Sequence, residues 1–409
     1  MKKKGLLGAI VLLTVVMLSG GTFSLHSTYS MDDAFSVIAT DGYAYSLGVD
    51  HGDVISLTLA DIDAPAYTDQ ITLNEGIRGC CLDGNYLYLR TYYGISIVDI
   101  SNPSDLVNLY TDPSTTTYYG EDIAVKDGYA FSLNNIGLTI YDVSIPESSH
   151  IVNTSAISNT AREIQVMDSF LIISTNLGLR VYKISSDGDS ASSVALRESS
   201  TSLQGLAVCG DYAYAARTGY GIAIFNISDP TNPTIVSYLN TAGWAYKIYY
   251  RNNFVYLAAE TYLHAIDVTD RAYPVLSGSY ATYGCYDVFG YGSNIFITEY
   301  SRGLSALSYS DDAYLPSDMA EDFVKDPSEE NVCVEYFTGK IRITYTSKRN
   351  SDISVSLYDC SGRNLGVIYS GSVSGNGKVE AEAGGINKGT YFVKTKLGSD
   401  TYTEKVTLI

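Results

Sequence analysis

The sequence predicts an all-β protein built from one repeated unit. Its 409 residues include 37 tyrosines and 36 glycines but only 9 prolines, a composition that favours strands and tight turns over helices. Short turn signals separate alternating apolar runs, as in "LDGNYLYLRTYYGISIVDISNP" from Leu82 to Pro103. Variants of this stretch recur along most of the chain, so the repeat is the first clue to the fold.

The repeat has a regular period. The turns that follow the first strand of each unit lie about 41 to 44 residues apart. Each unit contains four short strands, and four strands in forty-odd residues are typical of a β-propeller blade, because one small sheet cannot bury both of its faces alone. Seven turns therefore predict seven blades. The turns are Asp41-Gly42, Asp83-Gly84, Asp127-Gly128, Asp168-Ser169, Gly210-Asp211, Asn252-Asn253 and Ser293-Asn294.

The last unit lacks its fourth strand. After "GLSALSYS" the chain becomes acidic, whereas Leu25 to Ser30, "LHSTYS", resembles the fourth strand of the sixth unit, "LSGSYA". We expect this N-terminal strand to complete the last blade, which leaves no unpaired edge between the first and last blades. The prediction is a seven-bladed β-propeller over residues 24–310, closed by an N-terminal strand.

The two ends of the chain have other compositions. Residues 1–23 begin with three lysines and an apolar run from Gly5 to Leu18, a pattern typical of a signal peptide, with an uncleaved anchor as the alternative. The other apolar runs are too short to cross a bilayer, so we expect no stable membrane span after cleavage. Residues 311–330 read as an acidic linker, and the short strands of residues 331–409 predict a small immunoglobulin-like β-sandwich.

The repeated residues resemble a known family. The pattern D-G-Y-A-Y, then G-L-x-I-[VY]-D-[VI]-S-x-P, is followed closely by Asp127 to Phe131 and Gly137 to Pro146. It is similar to the LVIVD-type repeat of bacterial surface and secreted propellers, and the similarity covers roughly residues 31 to 310. The resemblance implies a propeller fold and no particular chemistry.

The tail resembles a second family. The runs "VSLYDCSG" from Val355, "GTYFVK" from Gly389 and the final "EKVTLI" are similar to the C-terminal sorting domain of the type IX secretion system, the Por system. The resemblance implies contact with the secretion machinery and a location that is extracellular or on the outer-membrane surface. The alternative is an ordinary structural sandwich attached to the propeller.

Charge and motifs exclude several functions. A formal net charge of −19 disfavours nucleic acid, because binding to phosphates requires clustered lysine and arginine. The four histidines have no histidine or cysteine partner at metal-ligand spacing. No nucleophile elbow or phosphate-binding loop is present. We therefore assign no catalytic residue, metal or cofactor.

The six cysteines fall into three groups. Cys80 and Cys81 are adjacent, so alternation sends their side chains to opposite sheet faces, and at most one is expected to pack inward. Cys209 and Cys285 read as small buried hydrophobic residues. Cys333 and Cys360, both in the tail, are the best candidate disulfide pair.

The alternating strand directions place the turns that are alike in all repeats on one face of the ring and the turns that differ on the other. The turns after the first and third strands lie on one face of the ring and repeat the same residues. The turns after the second strand and the links between blades lie on the opposite face and differ from blade to blade, so this variable face can hold specificity. Its residues are Asp50, His51, Arg78, Tyr92, Tyr93, Tyr119, Glu121, Asn134, Asn135, Arg162, Glu163, Asn176, Gln204, Tyr220, Trp244, Tyr246, Glu260, Tyr262, Tyr286, Tyr300 and Arg302.

These residues predict a binding surface. Aromatic rings beside amides and acids suit sugars or extended polypeptides, because they offer stacking together with directed hydrogen bonds. We expect a non-enzymatic binding propeller that recognises a polysaccharide or a protein at the cell surface. The alternatives are a carbohydrate-active lyase or hydrolase working from acids at the channel mouth, such as Glu121, Glu163 and Glu260, and a purely structural surface component. The candidate ligand-binding residues are Tyr92, Tyr93, Glu121, Trp244, Tyr246, Tyr262, Tyr286 and Arg302.

Overall fold

The fold is described from a computed structural model. Its described part is almost entirely β, with one three-residue 3-10 helix, Pro146–Ser148. The predicted signal peptide and acidic linker lie outside the described residues. The structure describes residues 21–409 except 32–33, 41, 114–119, 135–136, 158–159, 292–293, 301, 311–330, 338–339, 360–363, 383–388, 399 and 409.

Five four-stranded antiparallel sheets follow one another along the chain. Each begins with an inner strand and ends with an outer strand whose residues are exposed or half-buried, as expected for stacked blades. The strands are β2 (Ala34–Thr40), β3 (Tyr43–Gly48), β4 (Asp53–Thr58) and β5 (Ala66–Thr72); β6 (Ile77–Asp83), β7 (Tyr86–Thr91), β8 (Ile95–Asp99) and β9 (Val107–Thr111); β10 (Gly120–Lys126), β11 (Tyr129–Asn134), β12 (Gly137–Asp142) and β13 (His150–Ala156); β14 (Ala161–Met167), β15 (Phe170–Thr175), β16 (Gly178–Ile184) and β17 (Ala191–Glu198); and β18 (Leu203–Cys209), β19 (Tyr212–Arg217), β20 (Gly221–Asn226) and β21 (Thr234–Leu239).

A six-stranded sheet completes the ring, in the order β1-β26-β25-β24-β23-β22. Two of its strands are long and each supplies two segments of pairing, so the number of blades depends on where this sheet is divided, and seven stays a prediction. The strands are β1 (Thr22–Tyr29), β22 (Lys247–Arg251), β23 (Phe254–Asp267), β24 (Val275–Tyr291), β25 (Asn294–Glu299) and β26 (Gly303–Ser310).

The N-terminal strand closes the ring. Strand β1 pairs antiparallel with β26 from Thr22 opposite Ser310 to Tyr29 opposite Leu304. The expectation that the N-terminal strand pairs with the last strand of the propeller is therefore confirmed. The pairing covers the edge of β26, which would otherwise expose unpaired backbone groups.

One face of the ring carries the repeated turns. In the Asp127-Gly128 turn both residues have positive φ, 50° and 81°, a conformation that a two-residue hairpin requires and that glycine adopts at no steric cost. The backbone N–H after the third strand bonds back to this turn, as Val143 N does to Gly128 O at 2.8 Å. The carboxylate of Asp142 then accepts the N–H of Ser144 at 3.0 Å. Asp99 and Asp267 accept the backbone N–H two residues later in the same way, so the repeated aspartates have a structural role.

The core lies between neighbouring blades. Tyr45, Tyr88 and Tyr214 are 1%, 3% and 0% exposed, and each belongs to an apolar cluster between sheets. The expectation that only one of the adjacent cysteines packs inward was wrong. Cys80 joins the apolar cluster on one side of its blade and Cys81 joins the cluster on the other side. Both are covered because a blade buries both of its faces.

The tail strands form one connected five-stranded sheet. Two long strands bend so that both of their halves contribute to a single core, which includes Ile341, Ile343, Val355, Leu357 and Val379. The immunoglobulin-like sandwich stays a prediction. The strands are β27 (Asn331–Phe337), β28 (Lys340–Asp359), β29 (Asn364–Glu382), β30 (Gly389–Leu397) and β31 (Asp400–Leu408).

The tail contacts the propeller at the repeated-turn face. Asp211, in the turn after β18, accepts a hydrogen bond from Arg342 at 2.6 Å and pairs with Lys378. Cys209, two residues earlier, is disulfide-bonded, so its interpretation as a simple buried hydrophobic residue was wrong. Cys285 is a buried free thiol, as expected. The predicted pair of tail cysteines lies outside the residues whose side chains are described.

Candidate functional site at the channel mouth

Every inner strand of the five four-stranded sheets has an irregularity near its first residues. In β6 the pairing skips Arg78, and in β14 it skips Arg162. The same shift occurs at Phe35 in β2 and at Tyr286 in β24 of the six-stranded sheet. A β-bulge turns the unpaired side chain away from its ordinary direction. Equivalent positions in successive blades therefore point toward one opening, which we call the channel mouth.

The channel mouth is a pocket of about 320 Å³. Every inner strand of the ring contributes to it, and all of its lining residues come from the propeller. Seven of them had been assigned to the variable face from the sequence, whereas Phe35, Ser36, Lys247 and Asp287 had not. The lining residues are Phe35, Ser36, Arg78, Glu121, Arg162, Glu163, Gln204, Tyr246, Lys247, Tyr286 and Asp287.

One side of the mouth is aromatic. The ring centroids of Tyr246 and Tyr286 are 5.0 Å apart, and those of Tyr286 and Phe35 are 6.0 Å apart with nearly parallel planes. Tyr300, which is 52% exposed, meets Tyr286 edge to face at 6.0 Å. Phe35, Tyr246 and Tyr286 line the pocket, and their flat apolar faces suit stacking against a ligand ring.

The other side of the mouth is ionic. Arg162 Nη1 donates to both carboxylate oxygens of Glu121, at 3.2 and 3.3 Å. Arg78 stacks over Phe35 and Tyr92, with its Cζ atom 5.4 and 5.8 Å from the two ring centroids. Within the part of the chain that the structure describes, Arg78 has no ion pair within 4.0 Å. Burial raises the pKa of Glu121, and Arg162 together with the more distant Arg78 opposes that shift.

A buried charged cluster forms the floor of the pocket. Lys247 Nζ lies 3.1 Å from Glu163 Oε1. Burial raises the pKa of Glu163 to about 8, and the nearby Asp122 and Asp287 add to the shift while Lys247 opposes it. Burial alone would lower the pKa of Lys247, but attraction to the three carboxyl groups outweighs it, so the net direction is upward. The lysine stays charged and the carboxyls retain protons more readily than free ones.

The floor carboxyls also join neighbouring blades. Asp122 accepts the backbone N–H of Ile164 at 3.1 Å, and Glu163 accepts that of Leu206 at 2.9 Å. Asp287 does the same for the first inner strand, accepting Val37 N at 3.0 Å. In each case an acid on one inner strand satisfies a backbone donor on the next, so these carboxyls have a structural role.

Two of the predicted ligand-binding residues, Tyr92 and Tyr93, do not line the mouth pocket. Tyr92 lies beneath Arg78 at the rim. Tyr93 lines a second pocket of about 420 Å³ between the second and third blades. That pocket contains Arg90, which is 2% exposed and donates from Nε to Leu133 O at 2.9 Å. Its buried arginine joins two blades, so the second pocket is bordered by structural contacts.

The remaining predicted residues are dispersed. Trp244 is 55% exposed and does not line the mouth pocket. Tyr262 stacks on His264 at 5.3 Å. Arg302 lies over Tyr283, with its Cζ atom 4.7 Å from the ring centroid. Of the eight candidates, only Glu121, Tyr246 and Tyr286 line the mouth pocket. Tyr119 and Asn135 lie outside the described residues.

The repeated sheets and their central mouth define an all-β propeller. Comparison with known families finds the LVIVD repeat at residues 78–110, 119–154, 202–241 and 242–282, and the secretion system C-terminal sorting domain at residues 337–408. The chain thus carries LVIVD repeats followed by a sorting tail, which confirms both resemblances. The sorting domain indicates secretion with attachment at the cell surface or outer membrane, and it implies interaction with the secretion machinery.

Solved structures support the fold alone. The WD40 β-propeller domain of Doa1 is 12% identical, with a TM-score of 0.53 over 71% of this chain and 97% of that one. The Myceliophteria thermophila Cps50 (Swd1) β-propeller domain is 10% identical, with a TM-score of 0.56 over 71% and 99%. The computationally designed Ika8 protein is 8% identical, with a TM-score of 0.51 over 93% and 98%.

No curated protein matches this sequence. Across the described residues, no helix combines the length and the apolar character that crossing a membrane requires.

Proposed function

We propose that this exported propeller is a binding module that recognises an extracellular polysaccharide or protein partner at the channel mouth. The observation that carries the proposal is the set of strand irregularities that bring side chains of different chemistry from successive blades to one pocket. Because the framework repeats and these side chains do not, the mouth can be specific without disturbing the fold.

The contacts of the acids favour binding over catalysis. Glu121 is held by Arg162, and Glu163 is held by Lys247 and by the backbone of Leu206. A carboxyl that must donate or accept a proton from a substrate needs an open oxygen facing it. A carbohydrate-active lyase or hydrolase is the second candidate, because burial raises the pKa of Glu163 to about 8, which gives a proton donor near neutral pH.

A binding screen tests this proposal. The purified chain is applied to a glycan array and to surface proteins, and the best ligand is titrated against Tyr246→Ala and Tyr286→Ala. We expect each variant to bind about 10-fold more weakly, because each loses an aromatic stacking partner. Tyr67→Ala is the control, since Tyr67 is 54% exposed on the outer strand β5.

Three results would count against the proposal. Ligand binding unaffected by both mouth variants would place recognition elsewhere, and equal weakening by Tyr67→Ala would indicate a general loss of folding. Release of products from any glycan on the array would favour the enzyme. The same variants would then be assayed for turnover, with Glu163→Gln added to test the proton donor.

A further inference from the structure

One cation of the channel mouth, Arg78, acts on Glu121 only at longer range and keeps its N–H donors available for a ligand. Arg162 is paired with Glu121 at 3.2 Å and Lys247 with Glu163 at 3.1 Å. Arg78 lines the same pocket, and among the described residues it forms neither an ion pair nor a hydrogen bond. Its contacts are the faces of Phe35 and Tyr92. Stacking orients a guanidinium while leaving its N–H donors, which lie in its plane, available.

From this arrangement we infer that the mouth recognises a glycan bearing a single carboxylated sugar, such as a uronic acid, in an otherwise neutral chain. This inference rests on the binding function proposed above. The fork of Arg78 would hold the carboxylate through two parallel hydrogen bonds, a geometry that arginine matches and lysine does not. The sugar ring would stack on Tyr286 and Tyr246, which are separated from Arg78 by the blade that carries Phe35.

The charge of the whole molecule limits the ligand to few carboxylates. With a formal net charge of −19, the protein repels a densely charged polymer. A single carboxylate is different, because it would lie within a few ångströms of Arg78, whereas Glu121 and Glu163 in the pocket are paired with Arg162 and Lys247. Charges outside the pocket are screened over about 8 Å at physiological salt. A neutral chain with one acidic sugar therefore provides a carboxylate for Arg78 and avoids strong repulsion by the negatively charged protein.

The pocket also favours a sugar over a peptide. Its wall consists of three aromatic faces, and its polar groups include the Gln204 amide and the ionic side. A pyranose has an apolar C–H face and a hydroxyl edge, so both surfaces would be matched. An acidic peptide is the competing occupant, and it is included as a probe in the experiment.

Calorimetric titration of the full chain with matched probes tests the inference. The probes are a xylo-oligosaccharide with one glucuronic acid branch, the same oligosaccharide without the branch, and a short peptide with one glutamate among apolar residues. We expect the branched probe to bind at least 10-fold more tightly than the other two. Arg78→Ala should weaken the branched probe about 10- to 100-fold, the cost of hydrogen bonds to a charged group, and leave the unbranched probe unchanged.

Controls separate this inference from the proposed function and from loss of folding. Arg197→Ala, at an exposed arginine on β17, should leave all three affinities unchanged. Arg78→Lys should recover only part of the affinity, because lysine lacks the planar fork. Equal binding of the two oligosaccharides, with Tyr286→Ala weakening both, would overturn the inference and keep the proposed function. Preference for the peptide, or no binding of the branched probe, would also overturn the inference.

Discussion

Replacing Asp287 by alanine tests the contact between inner strands β24 and β2, where the last part of the ring meets the first. The Asp287 carboxylate is 7% exposed and accepts hydrogen bonds from Ser36 Oγ at 2.5 Å and from Val37 N at 3.0 Å, both on the first inner strand. A hydrogen bond to a charged group contributes about 1.5–3 kcal/mol, so the two together contribute about 3–6 kcal/mol. The substitution leaves the Val37 N–H without this acceptor and leaves Ser36 Oγ with only the longer contact to Cys80 Sγ at 3.7 Å.

Burial reduces the net effect. It raises the pKa of Asp287, because folding removes this carboxyl from water, and alanine does not bear that cost. We therefore expect Asp287→Ala to lower the free energy of unfolding by about 2–4 kcal/mol. Urea unfolding of the purified chain, followed by circular dichroism at constant pH, measures the change.

Two further variants calibrate this prediction. Asp122→Ala removes one hydrogen bond to the next blade, the 3.1 Å contact with Ile164 N, and should cost about half as much. Asp105→Ala, at an exposed loop residue, should change stability by less than about 0.5 kcal/mol. If Asp287→Ala unfolds within about 0.5 kcal/mol of the unmodified chain, the hydrogen bonds between β24 and β2 do not hold the ring closed and the reasoning is refuted.

Three other predictions follow from the charged and exposed groups. Because the pKa of Glu163 is raised from 4.5 to about 8, the folded chain binds the extra proton, so stability should fall as pH rises between these values, and Glu163→Gln should flatten that part of a pH series of urea melts. Asp211→Ala should increase protease cleavage between propeller and tail, because it removes the contacts with Arg342 and Lys378; unchanged cleavage would contradict this. Trp244→Ala should leave ligand affinity at the mouth within about twofold, because its indole does not line the pocket, and a larger loss in titration would place it in the site.

The repeated parts of the fold could be predicted from the sequence because they depend on local signals. A turn such as Asp127-Gly128 needs positive φ, and alternation then assigns each strand residue to a face. The closing strand was recognisable because Leu25 to Ser30 resembles an existing fourth strand. The placement of Cys209 was not predictable, since a disulfide depends on contacts between segments far apart in sequence.

The site was predictable only in part. Strand direction was enough to place Glu121, Tyr246 and Tyr286 at the mouth. It could not show that Tyr93 belongs to a separate pocket or that Trp244 lies outside, because both depend on how far each loop leans from the channel axis. The strand irregularities have no residue signature in one sequence. They appear only when both strands of a pair are aligned.

The inner strands combine binding and stability in adjacent residues. In β14, Arg162 points to the mouth while Glu163 reaches the backbone of the next blade, and in β24 Tyr286 and Asp287 divide the two roles in the same way. Where the second position is a glycine, as at Gly79, it admits the neighbouring blade, since a Cβ there would lie 2.5 Å from the Asp122 carboxylate. Because alternate positions on a strand face different surroundings, the mouth residue can change while its neighbour keeps the blades joined. Substitutions at the first position should therefore alter ligand choice with little loss of stability, and substitutions at the second should do the reverse.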